Sequence, residues 1–281
     1  MGKNALKYLL IGLGIGLFLF GCKSEYETVR TSGDPELILK KAYEYYEQEE
    51  YQRAQSLMEL VISVYRGRAE AEDLNFRLAY TFYYLKNYIM SSYRFKEFSQ
   101  TYGASDRKEE SDFMSAYSNY LLSPKYRLDQ SYTNTAIQEL QLFINTYPNS
   151  ERVEQCNNLI DELRAKLETK AFEEGKLYFN LTRYNAAVQV FENLLKDFPE
   201  TENTAEIRWM IIRSAYSLAE NSVIQRQQER YQEVVDLATE YEQRFSESEY
   251  FDEVTKMKEN SEKNINQLKE DVRYQNESTG S

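Results

Sequence analysis

The sequence contains no histidine and only two cysteines, Cys22 and Cys156, among its 281 residues. The lack of histidine removes the commonest general base and the commonest transition-metal ligand. The sequence also has no nucleophile elbow, phosphate-binding loop or set of metal-binding cysteines. We therefore expect a protein that is not an enzyme and that uses no cofactor and no metal.

Basic residues are outnumbered by acidic ones, 34 to 46, which gives a formal net charge of −12. Such an acidic chain argues against nucleic acid or anionic lipid as the main partner. Attachment to a membrane would then come from a lipid anchor. The acidic pairs Glu109-Glu110 and Glu173-Glu174 offer the two carboxylates that a glycosidase needs. Adjacent helical residues point about 100° apart rather than across a cleft, so we interpret these pairs as solvated acids.

Glycine and proline are scarce, with 10 and 4 residues. With so few helix breakers, loops must be short and strands have little support. Asp34-Pro35 is a typical helix start, because aspartate can cap the helix and proline fits its first position. From Asp34 to about Lys269 the sequence predicts one helix after another.

The first 22 residues indicate a secretory signal. Tyr8 to Phe20 carries no charge and is too short to span a membrane. The run ends in Leu19-Phe20-Gly21-Cys22, which is similar to the lipobox of bacterial lipoproteins. This similarity implies cleavage before Cys22 and acylation of Cys22, with palmitate among its chains. We therefore predict a signal peptide at residues 1–21, and a lipid anchor with a flexible tether at residues 22–33.

The motif Ala-Tyr-x-x-Tyr, in which x is any residue, occurs three times. Its copies begin at Ala42, Ala79 and Ala116, a constant interval of 37 residues. A constant period in the range of about 20 to 50 residues is typical of repeat proteins, in which each unit buries its apolar face against its neighbours.

A second pattern marks five units, in which a small or β-branched residue is followed eleven positions later by an aromatic one. The pairs are Ala54 and Tyr65, Ser91 and Tyr102, Ala136 and Tyr147, Ala187 and Phe198, and Val234 and Phe245. Such offsets fall on one side of a helix. The pattern resembles the tetratricopeptide repeat, and the fourth unit matches best, through Gly175, Tyr178, Tyr184, Ala187, Phe191 and Pro199. The resemblance implies an all-α, right-handed superhelical solenoid of about five helical pairs with a C-terminal capping helix.

The domain organisation follows from the breakers and the apolar positions. We expect repeats one to three at residues 34–150. Residues 151–270 would form a long connecting helix, repeats four and five, and the capping helix. Residues 271–281 are polar, and we expect a disordered tail. Cys156 falls on an apolar helical face, where a small buried residue is the expected role.

Aromatic residues of the first helices are the candidate functional residues. In a tetratricopeptide-like pair, positions just after the small residue tend to face the concave groove. The candidate peptide-binding residues are Tyr43, Tyr46, Phe76, Tyr80, Tyr83, Phe113, Tyr117 and Tyr120. Such rings suit an extended peptide with aromatic side chains. The alternative, left open here, is that these rings pack between neighbouring helices.

Taken together, the lipobox, the short tether, the five repeats and the closing helix resemble the BamD-type lipoproteins of the outer-membrane β-barrel assembly machinery. The resemblance is strongest over residues 143–201, from Phe143-Ile144-Asn145-Thr146-Tyr147-Pro148-Asn149-Ser150 to Lys196-Asp197-Phe198-Pro199-Glu200-Thr201. Arg127-x-Asp129 also resembles a turn of that family. The high acidity, the longer insertions and the richness in tyrosine depart from it.

The resemblance implies a lipid-anchored scaffold on the periplasmic face of the outer membrane. Its C-terminal half would dock on the periplasmic domains of the central barrel-assembly protein. Its N-terminal groove would receive unfolded outer-membrane protein precursors, whose terminal strand typically ends in an aromatic residue. Accessory lipoproteins are further possible partners, and nucleic acid is not a partner.

Two alternatives remain open from the sequence. The first is a different periplasmic tetratricopeptide adaptor that serves the cell wall or division and binds no barrel precursor. The second is a surface glycan-binding lipoprotein, which would also use aromatic platforms. Proteins of the second kind are typically longer and depend on tryptophan, whereas this chain has only Trp209.

Overall fold

A computed structural model describes residues 24–279 of the chain, with side chains described to residue 271. The predicted signal peptide and the predicted lipidation site Cys22 lie outside the described residues.

The described residues form helices joined by turns, and no strand occurs among them. The all-α prediction is therefore confirmed. In chain order the helices are α1 Glu25–Arg30, α2 Pro35–Glu47, α3 Tyr51–Val61, α4 Glu70–Tyr84, α5 Tyr88–Thr101, α6 Lys108–Leu122, α7 Ser131–Thr146, α8 Val153–Asn180, α9 Tyr184–Asp197, α10 Thr204–Glu220, α11 Ile224–Arg244 and α12 Phe251–Thr279.

Helices that follow one another in the chain pack against each other, as in tetratricopeptide-like pairs. In the N-terminal part α2 packs on α3, α4 on α5 and α6 on α7, and in the C-terminal part α9 packs on α10, α10 on α11 and α11 on α12. The small residues of the repeat lie in the core, where Ala42, Ala79 and Ala116 are completely buried. Small side chains there allow two helix backbones to approach closely. The fold is a helical solenoid of consecutive pairs.

The start of α2 shows how the local sequence sets a helix boundary. The Asp34 carboxylate accepts hydrogen bonds from the backbone N–H groups of Glu36 and Leu37, at 3.0 and 3.2 Å. Pro35 occupies the first turn. An aspartate cap satisfies N–H groups that the helix itself cannot pair, and proline has no N–H to leave unpaired.

The chain divides into two compact units. Unit 1 comprises the chain up to Pro124 together with Ser131–Ile160, and unit 2 comprises Lys125–Gln130 together with the chain from Asp161 onward. The sequence-based boundary lies at residues 150 and 151, ten residues before the division between Ile160 and Asp161. The first turns of α8 belong to unit 1, as does Arg152, which directly precedes α8 and lies over the ring of Phe113.

Two segments differ from the sequence-based expectation. The flexible tether expected at residues 22–33 is wrong for residues 25–30, which form α1. Val29 of α1 is only 5% exposed, and the ring of Tyr26 lies 6.0 Å from that of Tyr45. The segment has too few apolar residues to show a helical period, so only its packing on α2 reveals it. At the other end, α12 continues to Thr279, into the segment where the sequence analysis expected a tail from residue 271.

Candidate functional site, an aromatic row in unit 1

The eight candidate residues lie on the first helices of the first three repeats, and we call them the aromatic row. Helix α2 supplies Tyr43 and Tyr46, α4 supplies Phe76, Tyr80 and Tyr83, and α6 supplies Phe113, Tyr117 and Tyr120. Within each helix they are spaced by three or four residues, so they share one helical face. All of them are partly exposed except Phe113, which is 2% exposed.

Ring contacts join the row across the three helices. The rings of Tyr83 on α4 and Tyr117 on α6 lie 6.4 Å apart. Between α2 and α4 the link is Tyr84, whose ring lies 6.4 Å from Tyr46 and 5.7 Å from Tyr80. Tyr84 is 43% exposed and was not among the candidates. The row is therefore continuous from α2 to α6.

The α6 end of the row is a stack of rings. Phe113 and Tyr117 lie 5.6 Å apart with their planes 11° from parallel. Tyr117 and Tyr120 lie 5.6 Å apart with their planes 14° from parallel. Aromatic pairs at these distances are stabilising beyond the area that they bury. At this end of the row, the rings of Tyr117 and Tyr120 are held in place by stacking on each other and on Phe113.

Tyr80 is the most firmly held ring of the row. Its ring packs against Phe76 at 5.1 Å and against the buried Phe95 at 4.9 Å. Its hydroxyl donates a hydrogen bond to the Glu110 carboxylate. Burial raises the pKa of the Tyr80 phenol well above its ordinary value, and the Glu110 carboxylate raises it further. Tyr80 therefore stays neutral, with its one donor already used.

Three arginines cover rings of the row, and the sequence analysis missed them. Arg77 lies 4.8 Å from the ring centre of Tyr43, Arg107 lies 4.8 Å from that of Phe76, and Arg152 lies 4.4 Å from that of Phe113. A guanidinium over a ring face is attracted by the ring quadrupole. In each case the arginine comes from the start of the following repeat or from its first helix. The intervals between ring and arginine differ, so no constant spacing in the sequence could reveal them.

Two of these arginines form ion pairs. Arg77 contacts Glu47 at 2.6 Å and Asp73 at 2.8 Å, and Arg107 contacts Asp73 at 2.7 Å. Burial acts to raise the pKa of Asp73, but hydrogen bonds from the two guanidiniums outweigh it and hold that pKa below its usual value. The carboxylate of Asp73 is therefore ionised and shared between α4 and α6. The α2–α4 part of the row is close to electrically balanced.

The residues of the row differ in how far they are buried. Phe113 is buried beneath Arg152, so it supports the row from below and is wrong as a ligand-contacting residue. The Tyr43 hydroxyl is buried beside the Asp73 carboxylate, without a well-formed hydrogen bond. The remaining tyrosines are half-buried, held on one side and open on the other. Their exposure depends on how the neighbouring helix covers them, and the sequence of a single repeat does not contain this information.

Unit 2 carries a separate cavity of about 720 Å³. It is lined by Tyr126, Arg127, Lys170, Glu173, Glu174, Leu177, Tyr178 and Leu181. Leu177 of α8 and Leu181, directly after the end of α8, are 55% and 57% exposed. Lys170 donates a hydrogen bond of 2.7 Å to the Leu128 carbonyl oxygen and so holds the Lys125–Gln130 segment at this cavity.

Metal-binding and thiol chemistry find no support among residues 24–279. No cluster of three or more acidic, cysteine or histidine side chains in this range could hold a metal ion. Cys156 is completely buried, and burial raises the pKa of its thiol to about 11. A neutral, buried thiol is unreactive, as expected from its apolar helical face.

Comparison with known proteins identifies one family. The model of the YfiO family, described as an outer membrane lipoprotein, matches residues 32–231, well over half of the chain. No curated protein sequence matches the chain significantly. In the part of the chain that the structure describes, no helix combines the length and the apolar character needed to cross a membrane.

Two solved structures are similar at low identity. A putative kinesin light chain with nearly identical TPR-like repeats from Podosopora anserina is 13% identical, with 74% of this chain and 98% of that chain covered, at a TM-score of 0.31. The TPR2AB domain of yeast Sti1 in complex with pHSP90 is 12% identical, with 81% and 98% covered, at a TM-score of 0.37. Both have helical repeats, and neither similarity is close enough to bear on function.

Proposed function

Because the chain belongs to the YfiO family of outer membrane lipoproteins, we propose that it is a non-enzymatic scaffold of the machinery that assembles β-barrel proteins in the outer membrane. In this proposal Cys22 carries the lipid anchor and the folded repeats face the periplasm. Unit 1 receives unfolded barrel precursors, and unit 2 docks on the periplasmic domains of the central barrel-assembly protein. Accessory lipoproteins are further candidate partners.

The observation that carries the proposal is the continuous aromatic row of unit 1. An unfolded barrel strand is an extended segment with a side chain every second residue on each face. A row of half-buried tyrosines gives such a segment apolar area and hydroxyl groups at a low cost in side-chain entropy. Because the rings are held by arginines and by one another, little order has to be gained on binding.

The cavity of unit 2 supports the second half of the proposal. Two exposed leucines, Leu177 and Leu181, stand beside Arg127 and Lys170 at its edge. Apolar side chains bordered by charged ones are typical of the surfaces at which soluble proteins bind each other. A folded periplasmic domain is the kind of partner that such a surface suits.

The test is the double substitution Tyr80→Ala and Tyr117→Ala. We expect it to weaken binding of a peptide copied from the terminal strand of an outer-membrane barrel protein by roughly tenfold or more, since anchoring rings are each worth about 1–2 kcal/mol. The affinity is measured by fluorescence anisotropy with the mature protein in detergent, and circular dichroism checks that helicity is unchanged.

The matched control is Tyr93→Ala with Tyr132→Ala, which removes two exposed tyrosines of α5 and α7 outside the row. This control should bind the peptide as the unmodified protein does. Tyr80 also packs on buried Phe95, so the single substitution Tyr83→Ala provides a row variant with less effect on the core. Unchanged affinity in both row variants would show that the row is not the precursor site.

A further inference from the structure

Arg152 differs from the other two arginines over the aromatic row, because it forms no ion pair among the described residues. Arg77 and Arg107 are paired with Glu47 and Asp73. Among the described residues Arg152 forms no ion pair; its guanidinium lies over the ring of Phe113, and its charge also acts on the Tyr80 phenol. A guanidinium is charged at every physiological pH and has five N–H donors. On a chain of net charge −12, it is a positive group that the fold has placed without neutralising it.

The surroundings of Arg152 define what it could bind. It stands at the start of α8, next to the α6 end of the row, where Phe113, Tyr117 and Tyr120 are stacked. Two glutamates of α6 near this site each already accept a hydrogen bond, Glu110 from the Tyr80 hydroxyl and Glu109 from the Ser150 hydroxyl. Any anion that reaches Arg152 would therefore lie beside tyrosine rings and meet a guanidinium with free donors.

We propose that Arg152 binds the free C-terminal carboxylate of an extended peptide whose last side chain is aromatic, with that side chain lying on the stacked tyrosines of α6. The inference rests on the proposed function, because it specifies which end of the precursor strand lies at the α6 end of the row. Arginine and carboxylate can form two parallel N–H···O bonds, so the contact would set both position and direction.

A terminal carboxylate fits this site better than an acidic side chain does. Of the three arginines over the row, Arg152 is the one that forms no ion pair among the described residues, and it lies at one end. The other charges along the row, at Arg77, Arg107, Asp73 and Glu47, are paired with each other. An acidic side chain inside the peptide would meet no unpaired positive group along most of the row. A peptide has a single C-terminal carboxylate, so one arginine at one end of the row is enough to pair it.

The experiment compares two forms of one peptide, about ten residues long and ending in phenylalanine, with either a free carboxylate or an amide at its end. We expect the free acid to bind the mature protein about tenfold more tightly, as for one charge-assisted contact at a partly exposed site. Arg152→Gln should abolish this difference, whereas Arg152→Lys should keep part of it because the charge remains. Circular dichroism confirms the fold of each variant.

The matched control is Arg68→Gln. Arg68 also lies over a ring, that of Tyr65 at 5.3 Å, and forms no ion pair among the described residues, but it is exposed and outside the row. This variant should keep the tenfold preference for the free acid. A third peptide, amidated at its end and carrying an internal aspartate, separates the two sources of carboxylate.

The possible results separate the inference from the proposed function. Equal binding of both peptide forms to the unmodified protein, or a preference that survives Arg152→Gln, would overturn the role of Arg152 and leave the precursor site in place. An equal, Arg152-dependent gain from the internal aspartate would overturn the terminal assignment. No binding of either form would contradict the proposed function and this inference together.

Discussion

Gly175 shows at the residue scale how a missing side chain sets the distance between two helices. A Cβ atom built on Gly175 of α8 would lie 2.6 Å from the Cε1 and Cζ atoms of Phe191 on α9. Phe191 is completely buried, so its ring has no open space to move into. Glycine inside a helix normally destabilises it by about 1 kcal/mol relative to alanine. Close packing on the ring therefore accounts for glycine at this position.

Gly175→Ala should lower the free energy of unfolding. Overpacking in a dense core costs about 1–3 kcal/mol, which outweighs the gain in helix propensity of about 1 kcal/mol in most of that range. The measurement is urea denaturation followed by circular dichroism. The control is Gly103→Ala, where nothing lies within 4 Å of the added atom. If Gly175→Ala is as stable as Gly103→Ala, the contact with Phe191 does not constrain the helices.

The site residues missed by the sequence analysis are also explained at this scale. Tyrosines of the row recur with the repeat, because each occupies the same place on a first helix. Arg77, Arg107 and Arg152 do not recur at one place, because each extends from a different position of the following repeat to reach a ring. Long side chains can reach one point from several backbone positions, so their partners are visible only in three dimensions.

At the scale of the elements, three of the turns between repeats are held by the same arrangement of hydrogen bonds. The Ser105 hydroxyl, between α5 and α6, accepts a hydrogen bond from the Arg107 N–H at 3.0 Å and donates one to Glu72 at 2.6 Å. The same arrangement joins Ser150 to Arg152 and Glu109, and Thr201 to Asn203 and Glu168. In these three repeats a hydroxyl thus connects the turn that leaves the repeat to the first helix of that repeat.

Ser105→Ala should destabilise unit 1 by about 1 kcal/mol, since hydrogen bonds to a charged group contribute about 1.5–3 kcal/mol when buried and less at a partly exposed site. Thermal or urea unfolding provides the measurement. Ser63→Ala is the control, because Ser63 is exposed and lies in the turn that follows α3. A loss no greater than that of the control would mean that the turn is held by its backbone alone.

For the whole molecule, the closing helix α12 completes the core of unit 2. It buries Val254, Met257 and Ile265, with 0%, 7% and 6% of each side chain exposed. Burial of each such side chain contributes about 1.5–3 kcal/mol. The last pair of a solenoid has no following repeat to cover it, so a closing helix must supply that surface.

Removing residues 251–281 should therefore destabilise unit 2 by roughly 5 kcal/mol, because the burial of three core side chains is lost. Hydrogen exchange should show faster exchange in α10 and α11, with protection in α4 and α5 unchanged. Removing only residues 272–281 is the control, because the three buried positions remain. Equally faster exchange in α4 and α5 would contradict an effect confined to unit 2, and unchanged exchange would contradict the role of α12.

The sequence by itself determined the class of fold, the helical pairs and the helices that carry the aromatic row. These properties depend on local information: the scarcity of glycine and proline, the interval of 37 residues, and the spacing of small and aromatic side chains along a helix. They do not require knowledge of which helix lies next to which surface. The family resemblance pointed to the same architecture, and the YfiO match agrees with it.

Only the tertiary structure decided the exposure and the charge of the site. It buried Phe113 beneath Arg152, placed the ring of Tyr84 of α4 beside Tyr46 of α2, and left Arg152 without an ion pair among the described residues while Arg77 and Arg107 are paired. It also folded residues 25–30 into α1 against the first repeat. The physical reason is the same in each case: burial and charge pairing depend on side chains from other helices, and a helical period describes only the helix that carries it.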